Sequence, residues 1–80
     1  MTVRLVFLGK LADLAGGSTR EMEGPLDWFG LLDSLEPELA EAAQDERTKL
    51  AVDGEVLANK MALSALDGAE IALLPPVSGG

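Results

Sequence analysis

The 80-residue sequence holds fourteen acidic against six basic side chains, a formal net charge of −8, which argues against nucleic acid or an anionic membrane as a partner and favours a basic protein surface. A chain of this length can form one small domain around a single core. Because it contains neither His nor Cys, Ser-His-Asp and Cys-His catalytic sites, the usual zinc sites and disulfide bonds are excluded, and the composition fits a cytoplasmic protein.

The first predicted element is a strand over residues 3–9, where β-branched and aromatic side chains are frequent. Side chains of a strand alternate between its two faces. One face carries Val3, Leu5 and Phe7. On the other face Val6 and Leu8 make an unusually apolar surface, which indicates a covered or docking face.

A short turn is predicted next, over residues 11–14, and Gly16-Gly17-Ser18 closes it. Residues 19–23 alternate and predict a second strand, hairpinned to the first. Gly24-Pro25 marks its end.

The middle of the chain predicts an amphipathic helix with Asp27 as its N-cap. Its apolar residues recur at the spacing i, i+3, i+4, i+7 and are Trp28, Leu31, Leu32 and Leu35. Pro37 ends or kinks this helix, and a second short helical stretch is expected at 38–46.

An acidic run covers these helical segments. Between residues 33 and 46 the sequence has six acids and no base. A solvated helical face is the usual explanation of such a run, and docking of a partner is the alternative.

Three more strands are predicted in the second half of the chain. Asp53-Gly54 is a strong two-residue hairpin signal between strands at 49–52 and 56–57. An irregular stretch is expected at 58–66 and the last strand at 70–74.

Alternation in that last strand places Ile71 and Leu73 toward the helix and Ala72 and Leu74 on the open face. Strands on both sides of one main helix predict the α+β class, a mixed sheet of about five strands packed on that helix.

We expect a domain over residues 1–74 and a C-terminal tail over residues 75–80. Pro75-Pro76 favours polyproline II, in which six residues project about 19 Å at roughly 3.1 Å per residue. The tail ends in Gly79-Gly80. Because these residues have no Cβ atoms, the end of the tail is narrow enough to bring the C-terminal carboxylate into a narrow active site. A frayed terminus is the plain alternative.

The Gly80 carboxylate is the reactive group that this sequence suggests. With a pKa of roughly 3.3–3.7 it is ionised at neutral pH and is a poor electrophile, so it needs activation, most naturally adenylation on a partner enzyme. The acyl-adenylate could accept sulfur, giving a thiocarboxylate, or an amine, giving an isopeptide.

Other polar residues give no sign of catalysis. Lys10, Lys49 and Lys60 are isolated in the sequence and are expected to be solvated. Glu21 and Glu23 are expected on the surface rather than as an acid–base pair. Since no phosphate-binding loop or EF-hand spacing occurs either, we expect the chain to be no enzyme on its own and to bind no metal or cofactor.

Three segments of the sequence are distinctive together: Val3–Lys10 with Asp13 and Gly16, the stretch Leu50-Ala51-Val52-Asp53-Gly54, and the ending Asp67–Gly80. They resemble a known family, the ubiquitin-like sulfur carriers of the MoaD and ThiS type, and within it the small subunit of molybdopterin synthase. The resemblance implies the β-grasp (ubiquitin-like) fold.

The resemblance implies a mechanism in which a MoeB-type enzyme adenylates Gly80 with ATP and Mg²⁺, and a sulfur donor enzyme converts the adenylate to a thiocarboxylate. The large subunit of molybdopterin synthase would then accept the tail in a heterotetramer. Sulfur would pass to cyclic pyranopterin monophosphate in molybdenum cofactor biosynthesis.

The resemblance also assigns partner-binding residues. Leu8, Val56 and Leu74 would form an apolar docking patch, with burial in a thicker core as the alternative. The tail residues that bind the partner would be Pro75, Pro76, Val77 and Ser78. Gly79 would belong with Gly80 to the catalytic end of the tail.

Three other functions remain open from the sequence. The chain could carry sulfur for thiamin, cysteine or tRNA thiolation. It could be a protein modifier joined to lysines through Gly80, since that needs only the same tail. It could also be a plain interaction domain with an incidental ending.

Overall fold

The computed structural model describes residues 2–75. Its helices are α1 (Lys10–Ala15), α2 (Trp28–Ser34) and α3 (Pro37–Gln44), with a 3₁₀ turn at Lys60–Ala62. Its strands are β1 (Thr2–Phe7), β2 (Thr19–Glu23), β3 (Leu26–Asp27), β4 (Lys49–Val52), β5 (Glu55–Val56), β6 (Ser64–Ala65) and β7 (Glu70–Leu74).

Five of the strands form one mixed sheet in the order β2-β1-β7-β4-β5. The central strands β1 and β7 run parallel, while the other neighbouring pairs are antiparallel. β3 and β6 pair separately as a small second sheet. This arrangement confirms the predicted α+β class and β-grasp architecture. Among residues 2–75 no helix has the length and apolar character needed to cross a membrane.

The core lies between one face of the sheet and the helices α2 and α3. The predicted inward residues of β1 are buried, and so are Ile71 and Leu73 of β7, each fully. Leu31 of α2 and Leu39 of α3 meet them from the helical side and are also fully buried. The strand alternation predicted from the sequence is therefore confirmed.

Asp27 caps α2 as predicted, because its Oδ1 accepts a hydrogen bond of 2.7 Å from the Gly30 N–H. Gly30, a weak helix former, is explained by this cap. A Cβ there would lie 3.0 Å from Asp27 Oδ1 and 3.2 Å from Leu26 Cδ1. Pro37 lies in the first turn of α3 and does not kink α2. Backbone N–H groups in the first turn of a helix have no carbonyl acceptor within the helix, so the N–H that proline lacks is not needed there.

The hairpin predicted at Asp53-Gly54 is confirmed. Both residues have positive φ, 51° and 87°, as a two-residue turn of this type requires. The turn pairs Val52 with Glu55 and Ala51 with Val56.

Two predictions of local structure are wrong. The expected turn at 11–14 is part of the helix α1, which Leu11 anchors in the core with 3% exposure. The stretch at 58–66 is not irregular throughout, since it contains the 3₁₀ turn and β6. All three elements are too short to show a periodic pattern.

Arg20 joins β2 to the start of α3. Its guanidinium donates two hydrogen bonds to Glu36, of 2.8 and 3.0 Å, and one of 3.1 Å to the Ala15 carbonyl. Hydrogen bonding to Arg20 lowers the pKa of Glu36 to about 2. Because the Glu36 side chain is half exposed, the pair orients these elements more than it stabilises them.

Lys60 corrects another expectation, since its side chain is half-buried rather than solvated. Its Nζ donates to three backbone carbonyls within and just beyond the end of α3. They belong to Ala43 (2.8 Å), Asp45 and Thr48 (3.0 Å). The ammonium also lies 5.7 Å from the centre of the Trp28 ring, and burial lowers the pKa of Lys60. The residue therefore closes the helix and holds the following loop.

We expect Lys60→Met to lower the free energy of unfolding by about 1–3 kcal/mol, because three carbonyls lose a charged donor. Urea denaturation followed by circular dichroism measures this change. Lys49→Met removes the same charge from an exposed side chain and should shift stability by less than about 0.5 kcal/mol. Equal losses in the two variants would contradict the role given to Lys60.

Candidate functional site

The helices cover one face of the sheet, and the opposite face carries a continuous apolar row across four strands. Val6 is the Cα partner of Ala72, Ala72 is the partner of Ala51, and Ala51 is the partner of Val56. Directly paired residues point to the same side of a sheet. The row therefore crosses the open face from β1 to β5.

Most of this row is accessible, unlike the core residues behind it. Val56 is 58% exposed and Leu8, just after β1, is 43% exposed. Val6, Ala72 and Leu74 are half-buried, and Ala51 is buried between its neighbours. We call this surface the open-face patch, and its members are Val6, Leu8, Ala51, Val56, Ala72 and Leu74.

Charged residues flank the open-face patch on two sides. One pleat toward the start of β1, Arg4 pairs with Glu70 across the strands, with 3.9 Å between Nη1 and Oε2. At the other end the exposed Lys49 is the Cα partner of Leu74. An apolar centre with a mixed charged rim is the usual anatomy of a protein–protein interface.

The C-terminal tail starts beside this patch. Because β1 and β7 are parallel neighbours, their ends lie together, and Pro75 follows Leu74 next to Gly9. A Cβ built on Gly9 would stand 3.4 Å from Pro75 Cγ. Gly9 also has φ 54° and ψ −129°, a conformation that favours glycine. The first residue of the tail therefore packs on a glycine at the edge of the patch.

The remaining predicted tail residues lie outside the described part of the chain. They are Pro76, Val77, Ser78, Gly79 and Gly80. Within residues 2–75 no group of three Asp or Glu side chains is placed to hold a metal ion.

A cleft of about 350 Å³ lies near the edge of the sheet, lined among others by Trp28, Lys60 and Met61. Two lysines line it: Lys60 Nζ already donates to backbone carbonyls, and Lys49 is exposed to solvent. The cleft thus offers packing space rather than a chemically active group.

The structure brings Leu74 and Val56 to the same face of the sheet, with Leu8 exposed at the end of β1. Sequence reasoning missed Ala51, which lies between Ala72 and Val56 in the row. The hairpin could have revealed it, because a two-residue turn at 53–54 pairs residue 51 with residue 56. The parallel pairing of β1 with β7 left no such local signal.

Comparisons with known proteins agree with this architecture. A protein-family model described as the ThiS family matches residues 5–80. No curated protein gives a significant sequence match. Among solved structures, SAMP1 from Haloferax volcanii is similar with a TM-score of 0.74 and 28% identity, each chain being covered to 100%.

Two further structures share the fold. The putative molybdopterin converting factor subunit 1 from Pyrococcus furiosus has a TM-score of 0.72 and 19% identity, over 96% of this chain and 99% of that one. The complex of subunits 1 and 2 of molybdopterin-converting factor from Helicobacter pylori includes a chain with a TM-score of 0.67 and 24% identity, both chains being covered to 100%.

Proposed function

Because the chain belongs to the ThiS family, we propose that it is a sulfur carrier whose Gly80 is adenylated by a partner enzyme and converted to a thiocarboxylate. The observation that carries this proposal is that the family match extends through residue 80, so the Gly-Gly ending belongs to the family's pattern. The chain supplies the reacting carboxylate, and its partners supply catalysis, ATP and Mg²⁺.

Activation is the first chemical requirement, because an ionised carboxylate resists nucleophilic attack. A carboxylate oxygen of Gly80 attacks the α-phosphorus of ATP, and pyrophosphate leaves. The acyl-adenylate then has a good leaving group, AMP, at the same carbon.

Sulfur enters in the second step. The terminal sulfur of a persulfide on the donor enzyme attacks the acyl carbon, AMP leaves, and an acyl disulfide forms. A thiol then attacks the sulfur that belongs to the donor enzyme and cleaves the S–S bond. The thiol and the donor enzyme end joined by a disulfide, and the transferred sulfur stays on Gly80 as a thiocarboxylate. The oxygen that Gly80 loses departs with AMP.

The geometry of the domain supports this role. The tail begins at Pro75, beside the open-face patch. A partner that covers the patch would therefore stand next to the start of the tail. Glycine at both of the last positions, Gly79 and Gly80, keeps the end of the tail narrow where it must reach the reacting atoms.

For the pathway we propose the small subunit of molybdopterin synthase. Two solved structures contain chains that share the fold of this chain: the putative molybdopterin converting factor subunit 1 from Pyrococcus furiosus and the complex of subunits 1 and 2 of molybdopterin-converting factor from Helicobacter pylori. A large subunit would receive the tail in a heterotetramer, and groups of that subunit would bind the pterin phosphate. The tail's sulfur would pass to cyclic pyranopterin monophosphate, and a MoeB-type enzyme and a sulfur donor would reload Gly80.

A second candidate is a protein modifier. SAMP1 is similar to this chain over its whole length, and so is the small archaeal modifier protein 1 from Methanosarcina acetivorans, over 99% of this chain. The same acyl-adenylate would then be attacked by a lysine amine, giving an isopeptide bond instead of a thiocarboxylate.

Intact mass spectrometry after incubation with ATP, Mg²⁺, a purified MoeB-type enzyme and a persulfide donor tests the proposal. We expect a mass gain equal to the replacement of one oxygen by sulfur, and fragment ions that place it at Gly80. Adducts of the chain on lysines of added proteins would favour the modifier. An unchanged mass without adducts would count against both.

A further inference from the structure

Phe29 is an aromatic side chain that neither the core nor the open-face patch uses. It lies on α2, just outside the apolar stripe that faces the sheet, and is 77% exposed. Beside it a shallow groove runs between α2 and α3, with Leu32 and Ala40 on its walls and Asp33 and Gln44 at its edge. We call this surface the helix-face groove.

The surroundings of the helix-face groove are acidic. The run of six acids without a base between residues 33 and 46 lies on these two helices and the residues that adjoin α3. Two of the six have cationic partners, since Arg20 pairs with Glu36 and Arg47 with Asp45. Asp33 lines the groove and is exposed. Glu41, also exposed, follows Ala40 on α3, so one acid lies at the edge of the apolar strip and a second lies on the same helix just beyond it.

We propose that the helix-face groove docks a basic amphipathic helix of a partner protein. An apolar residue of that helix would pack between Phe29 and Ala40, and its lysines or arginines would reach Asp33 and Glu41. A helix laid into a groove is a common mode of recognition, and opposite charge around the contact selects the partner and speeds association.

The charge of the chain argues against other occupants. A second copy of the chain would bring another net charge of −8 and a second acidic helical surface against the first. Anionic membranes and nucleic acids are repelled for the same reason. A basic protein segment is the occupant that both the apolar and the acidic features fit.

The helix-face groove and the open-face patch lie on opposite sides of the domain, because α2 and α3 pack on the sheet face that the patch does not use. Both surfaces could therefore be occupied at once. A partner could hold the domain through its helices while the tail is engaged elsewhere. This docking does not depend on the chemistry at Gly80.

The test titrates the isotope-labelled full chain with a synthetic amphipathic helical peptide that has one leucine face and one lysine face. We expect NMR shift changes in α2 and α3, with little change in β4, β5 and β7, and binding that weakens as salt rises. A chain that lacks Gly80 should bind the peptide equally well, which separates this proposal from the sulfur-carrier function.

Two matched variants make the result specific. Phe29→Gln should weaken binding by about tenfold, as the loss of a central aromatic contact does. Leu66→Gln changes a similarly exposed apolar residue, 72% against 77%, and should leave the affinity unchanged. Asp33→Asn with Glu41→Gln should reduce the salt dependence.

Several outcomes would overturn the proposal. They are equal affinities of the Phe29 and Leu66 variants, shift changes centred on Ala51 and Val56, equal binding of a peptide with glutamate in place of lysine, or no binding at millimolar peptide. Self-association of the chain through Phe29 in sedimentation experiments would assign the groove to a second copy instead.

Discussion

A chain that lacks Gly80 is expected to acquire no sulfur, whatever the concentration of adenylating enzyme. Deletion moves the carboxylate back by one residue, which in extended chain is about 3.3–3.6 Å. A displacement of about 1 Å between reacting atoms can already lower a rate by about a hundredfold. Intact mass spectrometry of the truncated chain, under the conditions that load the full chain, measures the effect.

The deletion should leave the domain intact, because the buried core extends from Val3 to Leu73. We expect the thermal midpoint to change by less than about 2 °C, as for surface changes in small domains. Gly80→Ala serves as the second variant, since it keeps the reach of the carboxylate and adds one methyl group. Normal loading of the truncated chain would show that the position of the Gly80 carboxylate is not required, and sulfur found away from the C-terminus would rule out the terminal-carboxylate mechanism.

These two variants separate the effect of a shorter tail from the effect of a bulkier last residue. Partial loading of Gly80→Ala beside none in the deletion would mean that reach dominates. Equal loss in both would mean that the partner's channel excludes even a Cβ. Either result keeps Gly80 as the reacting residue.

Much of the sheet could be predicted from the sequence because its signals are local. Alternation along residues 3–7 and 71–74 indicated the buried and open faces, and Asp53-Gly54 fixed the register of the second hairpin. The Asp27 cap needs only one side chain and the N–H of Gly30. Each of these features is decided within a few neighbouring residues.

The features that were missed depend on distant parts of the chain. Lys60 is held by carbonyls of residues 43, 45 and 48, and nothing near Lys60 in the sequence reveals them. The parallel pairing of β1 with β7 joins the two ends of the chain, and only that pairing aligns Val6 with Ala72. The helix α1 is short, and tertiary packing of Leu11 explains it better than propensity does.

The candidate site also has a part that the sequence could predict and a part that depends on distant strand pairing. The tail residues and their chemistry follow from the sequence and the resemblance, and the resemblance also points to Leu8, Val56 and Leu74. The continuous row through Ala51 required the strand register. The row matters because it turns three separate apolar residues into one surface that a partner could cover.

Val56→Asp is expected to weaken binding to the adenylating enzyme by about 30-fold or more. Docking would bury the new carboxylate against an apolar partner, and burying an unpaired polar or charged group costs about 2 kcal/mol or more, which corresponds to that change in Kd. The fold should survive, since Val56 is 58% exposed on an edge strand. Isothermal titration calorimetry with the purified enzyme measures the affinity.

Leu66→Asp is the matched control for this substitution. Leu66 is 72% exposed and precedes β7, whereas the tail follows that strand, so the control lies at the other end of the sheet. Both variants add one negative charge to a chain that already carries −8, which cancels long-range electrostatics in the comparison. Leu74→Asp tests the part of the patch nearest the tail and should act in the same direction as Val56→Asp. Equal affinities of the Val56 and Leu66 variants would remove the open-face patch as the docking surface.

Kinetics can then separate the patch from the tail. If the patch only binds the enzyme, Val56→Asp should raise the KM for this chain while kcat stays close to that of the unchanged chain, because the carboxylate still reaches the reacting atoms once the complex forms. The Gly80 deletion should show no measurable kcat, even when the concentration of the truncated chain saturates the enzyme. A fall in kcat for Val56→Asp, with KM unchanged, would mean that the sheet face also sets the direction in which the tail enters the active site, and Gly9 beside Pro75 would be the next contact to alter.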